Sequence, residues 1–274
     1  MTVGQDYILG TDDEELARLG LQHEAWRERT YALWRRAGFG AGDALLDAGC
    51  GPGFCTLDLA GVVGPTGRVL GRDKSAKFLE VLARESERRG LAQVETGLAN
   101  LEQLELPRAS LDGAYSRWTF SWLARPETAL ARIVEALRPG GVYALQEYLD
   151  WAAMRLIPTC ESFDRAVDAC MRSWREGGAT IDVALRLPQL AAGAGLRLEA
   201  LDPVARIGPV GSFEWRWLGS FFAGYLPKLV SRGSLRDEER LAFDRTWRAR
   251  TEEGASFVIT PTVADVLLRK PAAP

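Results

Sequence analysis

The chain has 274 residues, 47% of them hydrophobic and 26% charged, with a formal net charge of -3. This balance describes a soluble globular protein built as one elaborated domain. Acids and bases interleave, as in Arg84, Glu85, Glu87, Arg88 and Arg89, which excludes a single-sign patch for a nucleic-acid backbone.

Met1 to Gly10 has neither the positive start nor the apolar stretch of a secretory signal. No segment approaches the roughly 20 apolar residues of a spanning helix, so a cytoplasmic protein without a membrane partner is expected. The four cysteines, Cys50, Cys55, Cys160 and Cys170, lack CxxC spacing, and His23 is the single histidine. No metal site is expected, and a Ser-His-Asp hydrolase would have to rest on His23.

Thr11-Asp12-Asp13-Glu14 has the form of a capping box. Leu16, Leu19, His23, Trp26, Thr30 and Leu33 then recur every three or four residues, predicting an amphipathic helix that ends by Gly38 to Gly42. From there to about residue 148 short apolar runs alternate with helical segments. The pattern predicts strands near 44–49, 67–72, 93–97, 111–117 and 142–148, with helices near 53–63, 75–90 and 126–138. The last helix has Pro126 at its first position and stops before Pro139-Gly140-Gly141.

Beyond 148 the rhythm changes. Phe163, Val167, Cys170 and Trp174 form a helical stripe, a helix follows near 182–193, and a strand runs from Leu196 to Ile207. The segment Phe213 to Leu226 is apolar around most of its circumference, and Pro227 should end or kink that helix. A charged helix near 235–252 and a strand from Thr262 to Arg269 complete the chain.

The segment with the most chemistry is Leu45-Leu46-Asp47-Ala48-Gly49-Cys50-Gly51-Pro52-Gly53, a strand running into a glycine-dense turn and a helix. Glycines let backbone approach a ligand, and amides at a helix start favour anionic groups. A dinucleotide fingerprint would place its third glycine at Phe54, and no Gly-Lys-Ser/Thr follows for a phosphate loop. Asp47 to Gly53 instead resembles the first motif of class I S-adenosylmethionine methyltransferases, Asp/Glu-x-Gly-x-Gly-x-Gly. Val69 to Asp73 resembles that family's second strand ending in an acid. Leu111 to Arg117 is similar to its fourth strand, and Leu137 to Gly141 to the turn opening its fifth.

The resemblance implies an α/β fold, a doubly wound, mostly parallel seven-stranded sheet with an antiparallel last strand and helical cap insertions. It implies a helical cap over 1–42, a cofactor-binding core over 43–150, and over 151–274 the rest of the sheet with helices covering an acceptor pocket. It further implies S-adenosylmethionine as cofactor, S-adenosylhomocysteine as product, and methyl transfer to a small-molecule O, N or C nucleophile by a monomer or homodimer.

Gly49, Cys50, Gly51 and Gly53 would contact the methionine part of the cofactor, with Asp47 near its amino group and Ser116 and Arg117 completing that end. Asp73 would take the ribose hydroxyls. Lys74, Ala99 and Asn100 would meet the adenine, although Leu98 stands where many relatives carry an acid and Lys74 where they carry an apolar residue. Glu147, at the end of the fifth strand, and His23 are the residues considered for a general base, with Tyr148 beside them. Trp118, Phe120, Trp122, Trp151, Trp174, Trp215 and Trp217 would either line an apolar, partly aromatic acceptor cleft or pack as ordinary core. Two alternatives stand beside transfer: cofactor binding in a scaffold or cyclase-like role, and a nicotinamide oxidoreductase.

Overall fold

The computed structural model describes residues 10–272; most of the Met1 to Gly10 segment read above lies outside them. The first elements in chain order are α1 (Asp13–Ala37), β1 (Ala44–Ala48), α2 (Phe54–Val63), β2 (Arg68–Asp73), α3 (Ala76–Arg88), β3 (Val94–Leu98), β4 (Leu111–Arg117), α4 (Pro126–Ala136) and β5 (Leu137–Asp150). They are followed by β6 (Arg155–Ile157), α5 (Glu161–Glu176), α6 (Leu187–Gly193), β7 (Arg197–Val204), β8 (Ile207–Pro209), α7 (Phe213–Ser231), α8 (Asp237–Glu253), β9 (Phe257–Ile259) and β10 (Thr262–Arg269).

Two compact units emerge. One comprises Glu28–Leu149, Asp182–Pro203 and the stretch from Ala264 on; the other comprises the stretch up to Arg27, Asp150–Ile181 and Val204–Val263. The first is organised by a seven-stranded sheet of order β3-β2-β1-β4-β5-β10-β7. Its β1–β2, β1–β4, β2–β3 and β4–β5 pairs are parallel. β10 enters antiparallel to β5: the Gly140 amide donates to the Lys270 carbonyl and the Lys270 amide to the Gly141 carbonyl. The expected α/β, doubly wound sheet with its antiparallel last strand is therefore present.

Both faces of this sheet are covered, which is why its central strands read as continuous apolar runs. On one face Leu46, Ala114, Tyr143 and Leu145 pack with Leu130, Ile133 and Leu187. On the other Leu45, Val69, Tyr115 and Ala144 pack with Leu33, Trp34, Leu59 and Val63.

The second unit holds a three-stranded antiparallel sheet, β6-β9-β8, and the aromatic helices α5 and α7 together with α8. Trp151 meets Trp174 edge-on at 4.6 Å, Trp174 stacks on Tyr225 at 5.6 Å, and Trp215 stacks on Trp247 at 4.3 Å. Trp217 Nε1 donates to Gln22 Oε1 at 3.1 Å. Trp151, Trp174, Trp215 and Trp217 are all buried, so these rings belong to the unit's core.

Several boundaries differ from the sequence expectation. The side-chain cap of α1 is Asp12, one residue after the expected Thr11: its Oδ1 accepts from the Glu15 amide at 2.8 Å. β5 begins at Leu137, five residues early, because a register shift opposite Leu111–Gly113 lets Pro139-Gly140-Gly141 pass as an irregularity inside the strand. The helix near 182–193 is a short turn, Val183–Leu185, followed by α6 with Pro188 in its first turn. The run from Leu196 to Ile207 divides between β7 and β8, which lie in different sheets. α7 continues past Pro227 to Ser231.

Candidate functional site

β1 delivers Asp47 to the carboxyl end of the central sheet, where ligands of open α/β sheets gather. The turn that follows needs its glycines for distinct reasons. Gly49 has φ 75°, and a Cβ there would meet Thr119 at 2.5 Å; Gly53 has φ 88°, and a Cβ would meet Leu82 at 2.2 Å. Gly51, at φ 53°, faces open space. The Gly49 and Cys50 amides both donate to the Arg72 carbonyl, at 2.8 and 3.1 Å, which locks the turn against β2. No side chain caps the start of α2.

Asp47 is almost completely buried, and its Oδ2 accepts from Thr56 Oγ1 at 2.6 Å. Burial raises its carboxyl to about 6, against the pull of the Thr56 hydrogen bond and the Arg117 guanidinium. Thr56, one turn into α2, went unnoticed in the sequence; its only signal is a hydroxyl nine residues after the strand-end acid.

Asp73 closes β2. Its Oδ2 accepts from the Gly51 amide and its Oδ1 from the Ser75 amide, both at 2.8 Å. Each oxygen of an ionised carboxylate has a further acceptor site, so both remain able to accept from a ligand hydroxyl. Burial pushes this carboxyl up, opposed by those two backbone bonds. Leu98 is its register partner at the end of β3 and is 67% exposed, while the Ala99 amide donates to the Asp73 carbonyl at 2.8 Å. Lys74 and Asn100 are exposed at the same strand ends, Asn100 Oδ1 accepting from the Glu102 amide at 3.0 Å.

At the end of β4, Ser116 is buried and its Oγ accepts from the Tyr143 hydroxyl at 3.0 Å. Arg117 follows with Nη1 3.3 Å from Thr30 Oγ1 and its guanidinium 5.1 Å from the Trp118 ring. Trp118 adopts φ 52°, a left-handed conformation uncommon for a side chain of this size, and stacks on Tyr148 at 5.4 Å. Its twist brings Thr119 over Gly49, with Thr119 Oγ1 3.2 Å from the Ala48 carbonyl. Neither the twist nor Thr119 has a signature in spacing.

Glu147 is fully buried. Its Oε1 accepts from the Thr119 and Phe120 amides, both at 2.8 Å, and its Oε2 from Ser121 Oγ at 3.3 Å. Burial raises its carboxyl to about 7 even though those bonds favour the charged form. The carboxylate thus clamps the turn after β4, and its oxygens are spent on that turn. His23 lies on α1 in the other unit and is also buried. The structure therefore gathers Asp47, Gly49 to Gly53, Asp73, Lys74, Ala99, Asn100, Ser116, Arg117 and Glu147 in one unit, at the carboxyl ends of β1 to β5.

Among the described residues no helix is long and apolar enough to cross a membrane, and no group of three or more His, Cys, Asp or Glu could hold a metal ion.

A family model for the methyltransferase domain matches residues 46–145. Trans-aconitate 2-methyltransferase of Deinococcus radiodurans is 31% identical over 193 residues, 68% of this chain and 71% of that protein. The chain spans about half the length of the first curated relatives it matches. These are an uncharacterized transposon TN4556 protein of Streptomyces fradiae, 31% identical over 70% of this chain and 56% of its own length, and demethylmenaquinone methyltransferase of Lactococcus lactis, 34% identical over 44% and 46%. Among solved structures, the [4+2]-cyclase SpnF aligns with a TM-score of 0.55 at 19% identity, covering 90% of this chain and 82% of the other. Phosphoethanolamine N-methyltransferase 2 of Haemonchus contortus, solved with S-adenosylhomocysteine, aligns with a TM-score of 0.57 at 18% identity over 89% and 52%. With the ordered strand ends, the glycine turn and the strand-end acids all in place, the chain belongs to the S-adenosylmethionine-dependent methyltransferases of Rossmann-like fold.

Proposed function

We propose that the protein transfers a methyl group to a small-molecule acceptor by in-line displacement. The observation that carries this reading is the open face of Gly51 beside Asp73, whose two oxygens keep acceptor capacity after binding the turn. Bound S-adenosylmethionine supplies an electrophilic methyl on its sulfonium. The Gly49 to Gly53 turn holds the methionine part, Asp47 takes its ammonium, and Arg117 with the backbone at Ser116 completes that end. Asp73 takes the ribose hydroxyls, and Lys74, Ala99 and Asn100 border the adenine. Fixing donor and acceptor in line contributes on the order of 7–11 kcal/mol to lowering the barrier.

No general base is assigned. Glu147 spends its oxygens on the Thr119–Ser121 turn, and His23 is buried. This suits an acceptor whose nucleophile arrives competent, such as a carboxylate or a neutral amine. The relatives named for trans-aconitate and demethylmenaquinone support a small organic acceptor. A cyclase shares the fold, so the fold alone does not decide transfer; the nicotinamide reading gives way to the family assignment.

Calorimetric titration with S-adenosylhomocysteine should give saturable binding, and Asp73→Ala should weaken it at least about tenfold, as loss of two charge-assisted hydrogen bonds implies. Labelled methyl should then pass into a component of a small-molecule extract and fail to do so in Asp47→Ala. Binding without transfer to any component would favour the cyclase-like role.

A further inference from the structure

Behind the strand ends lies a buried polar chain that the site does not yet use. Arg29 Nε donates to Asp265 Oδ2 at 2.5 Å, and Gln146 Nε2 donates to Asp265 Oδ1 at 2.8 Å. Gln146 Oε1 in turn accepts from Thr30 Oγ1 at 2.7 Å and from the Tyr115 hydroxyl at 2.8 Å. Thr30 Oγ1 accepts from Arg117 Nη1 at 3.3 Å. Thr30, Tyr115, Gln146 and Asp265 are all buried in the same unit.

The donors of this chain can point only one way. Asp265, ion-paired with Arg29, accepts and does not donate. Gln146 must therefore turn its amide nitrogen to Asp265 and its carbonyl oxygen to Thr30 and Tyr115. Both hydroxyl protons are then spent on Gln146, and Thr30 can offer Arg117 lone pairs alone. Were the amide reversed, its nitrogen would occupy a Thr30 lone pair and free the hydroxyl proton to turn toward the guanidinium, so Thr30 would no longer be held as a pure acceptor for Arg117. The acid on β10 thus dictates, through two side chains, the hydrogen-bonding face shown to an arginine at the end of β4.

Arg117 stands two residues beyond Tyr115, the register partner of Asp47. A buried acid and a fixed base at the ends of adjacent strands match the ammonium and the carboxylate of an amino-acid group. We propose that Asp265, acting through Gln146 and Thr30, is a positioning residue that fixes Arg117 to receive the carboxylate of the cofactor's methionine part. This rests on the cofactor reading above.

The test compares two nucleosides in calorimetric titrations: S-adenosylhomocysteine, which carries the amino-acid group, and 5′-methylthioadenosine, which lacks it. Thr30→Val keeps shape and removes the hydroxyl; Thr30→Ser keeps the hydroxyl. In Asp265→Asn the guanidinium of Arg29 claims the one carbonyl oxygen, which leaves the amide facing Gln146 and reverses it. Thr30→Val and Asp265→Asn should each weaken S-adenosylhomocysteine about tenfold or more while changing methylthioadenosine by less than about twofold, the loss expected for a hydrogen bond to a charged group. Thr30→Ser should bind both as the parent does. Equal losses for the two ligands, or no loss for S-adenosylhomocysteine in folded variants, would overturn the relay. Binding of both nucleosides by the parent protein upholds the cofactor reading whatever the variants do, and binding of neither removes that reading and the relay with it.

Discussion

Glu147 commits its two carboxylate oxygens to one turn, and its burial there sets a pH dependence that those hydrogen bonds only partly offset. Its carboxyl is raised to about 7 and that of Asp47 to about 6, in both cases first by burial. The folded protein therefore binds these two protons more tightly than the unfolded chain, whose carboxyls titrate near about pH 4. The stability they contribute is full below that value and is lost as pH rises through 6 and 7. Urea unfolding should show lower stability at pH 8 than at pH 5, by about 2.5 kcal/mol for Glu147 and about 1.5 kcal/mol for Asp47. Glu147→Gln, neutral throughout, should flatten that slope; an unchanged slope would mean that Glu147 ionises freely in the folded state. In the sequence Glu147 is only an acid at a strand end, and whether such an acid faces a ligand or a turn depends on the backbone that folds over it.

At the scale of the element, the turn from β1 into α2 separates two uses of glycine. Gly53 is required by packing, because a methyl group there would lie 2.2 Å from Leu82 at a φ of 88°. Gly51 has the left-handed φ but no neighbour within 4 Å. Gly53→Ala should destabilise the protein severely, by at least about 2 kcal/mol from backbone strain and overpacking together. Gly51→Ala should cost only about 1 kcal/mol of stability yet impair S-adenosylhomocysteine binding, because the added methyl projects into the open face. Thermal melts and calorimetry on the two variants separate these outcomes, and the reverse pattern would place the ligand elsewhere. The glycine turn was legible in the sequence because strand, turn and helix are contiguous. Thr119 and the left-handed Trp118 were not, because Thr119 packs against the distant Gly49 and the Trp118 amide donates to the distant Gln146 carbonyl at 2.8 Å.

Over the whole molecule, the site is assembled from β1 to β5 of one unit and braced by β10, which returns from the end of the chain to lie between β5 and β7. Hydrogen exchange with and without S-adenosylhomocysteine should show slowed amides around Gly49 to Gly53, Asp73 to Ser75 and Ser116 to Thr119. Protection absent from all three segments would place binding elsewhere. The three-stranded sheet β6-β9-β8 went unforeseen because each strand spans three residues, too few for an alternating pattern to show. Of the two outcomes expected at Pro227, an end or a kink, the continuation of α7 to Ser231 removes the first, since the helix runs on past the proline.

By itself the sequence determined what lies close along the chain: the βα alternation, the acid closing each of the first two strands, the glycine turn and the final strand. Hydrophobic periodicity and backbone permissiveness are local properties, so they can be read without knowing the fold. Only the tertiary structure decided that Glu147 braces a turn, that Asp265 reaches Arg117 through Gln146 and Thr30, and that Trp151, Trp174, Trp215 and Trp217 are each buried in one unit's core. Each of those depends on which distant groups share a buried space, where an unpartnered charge or donor costs more than any local preference supplies.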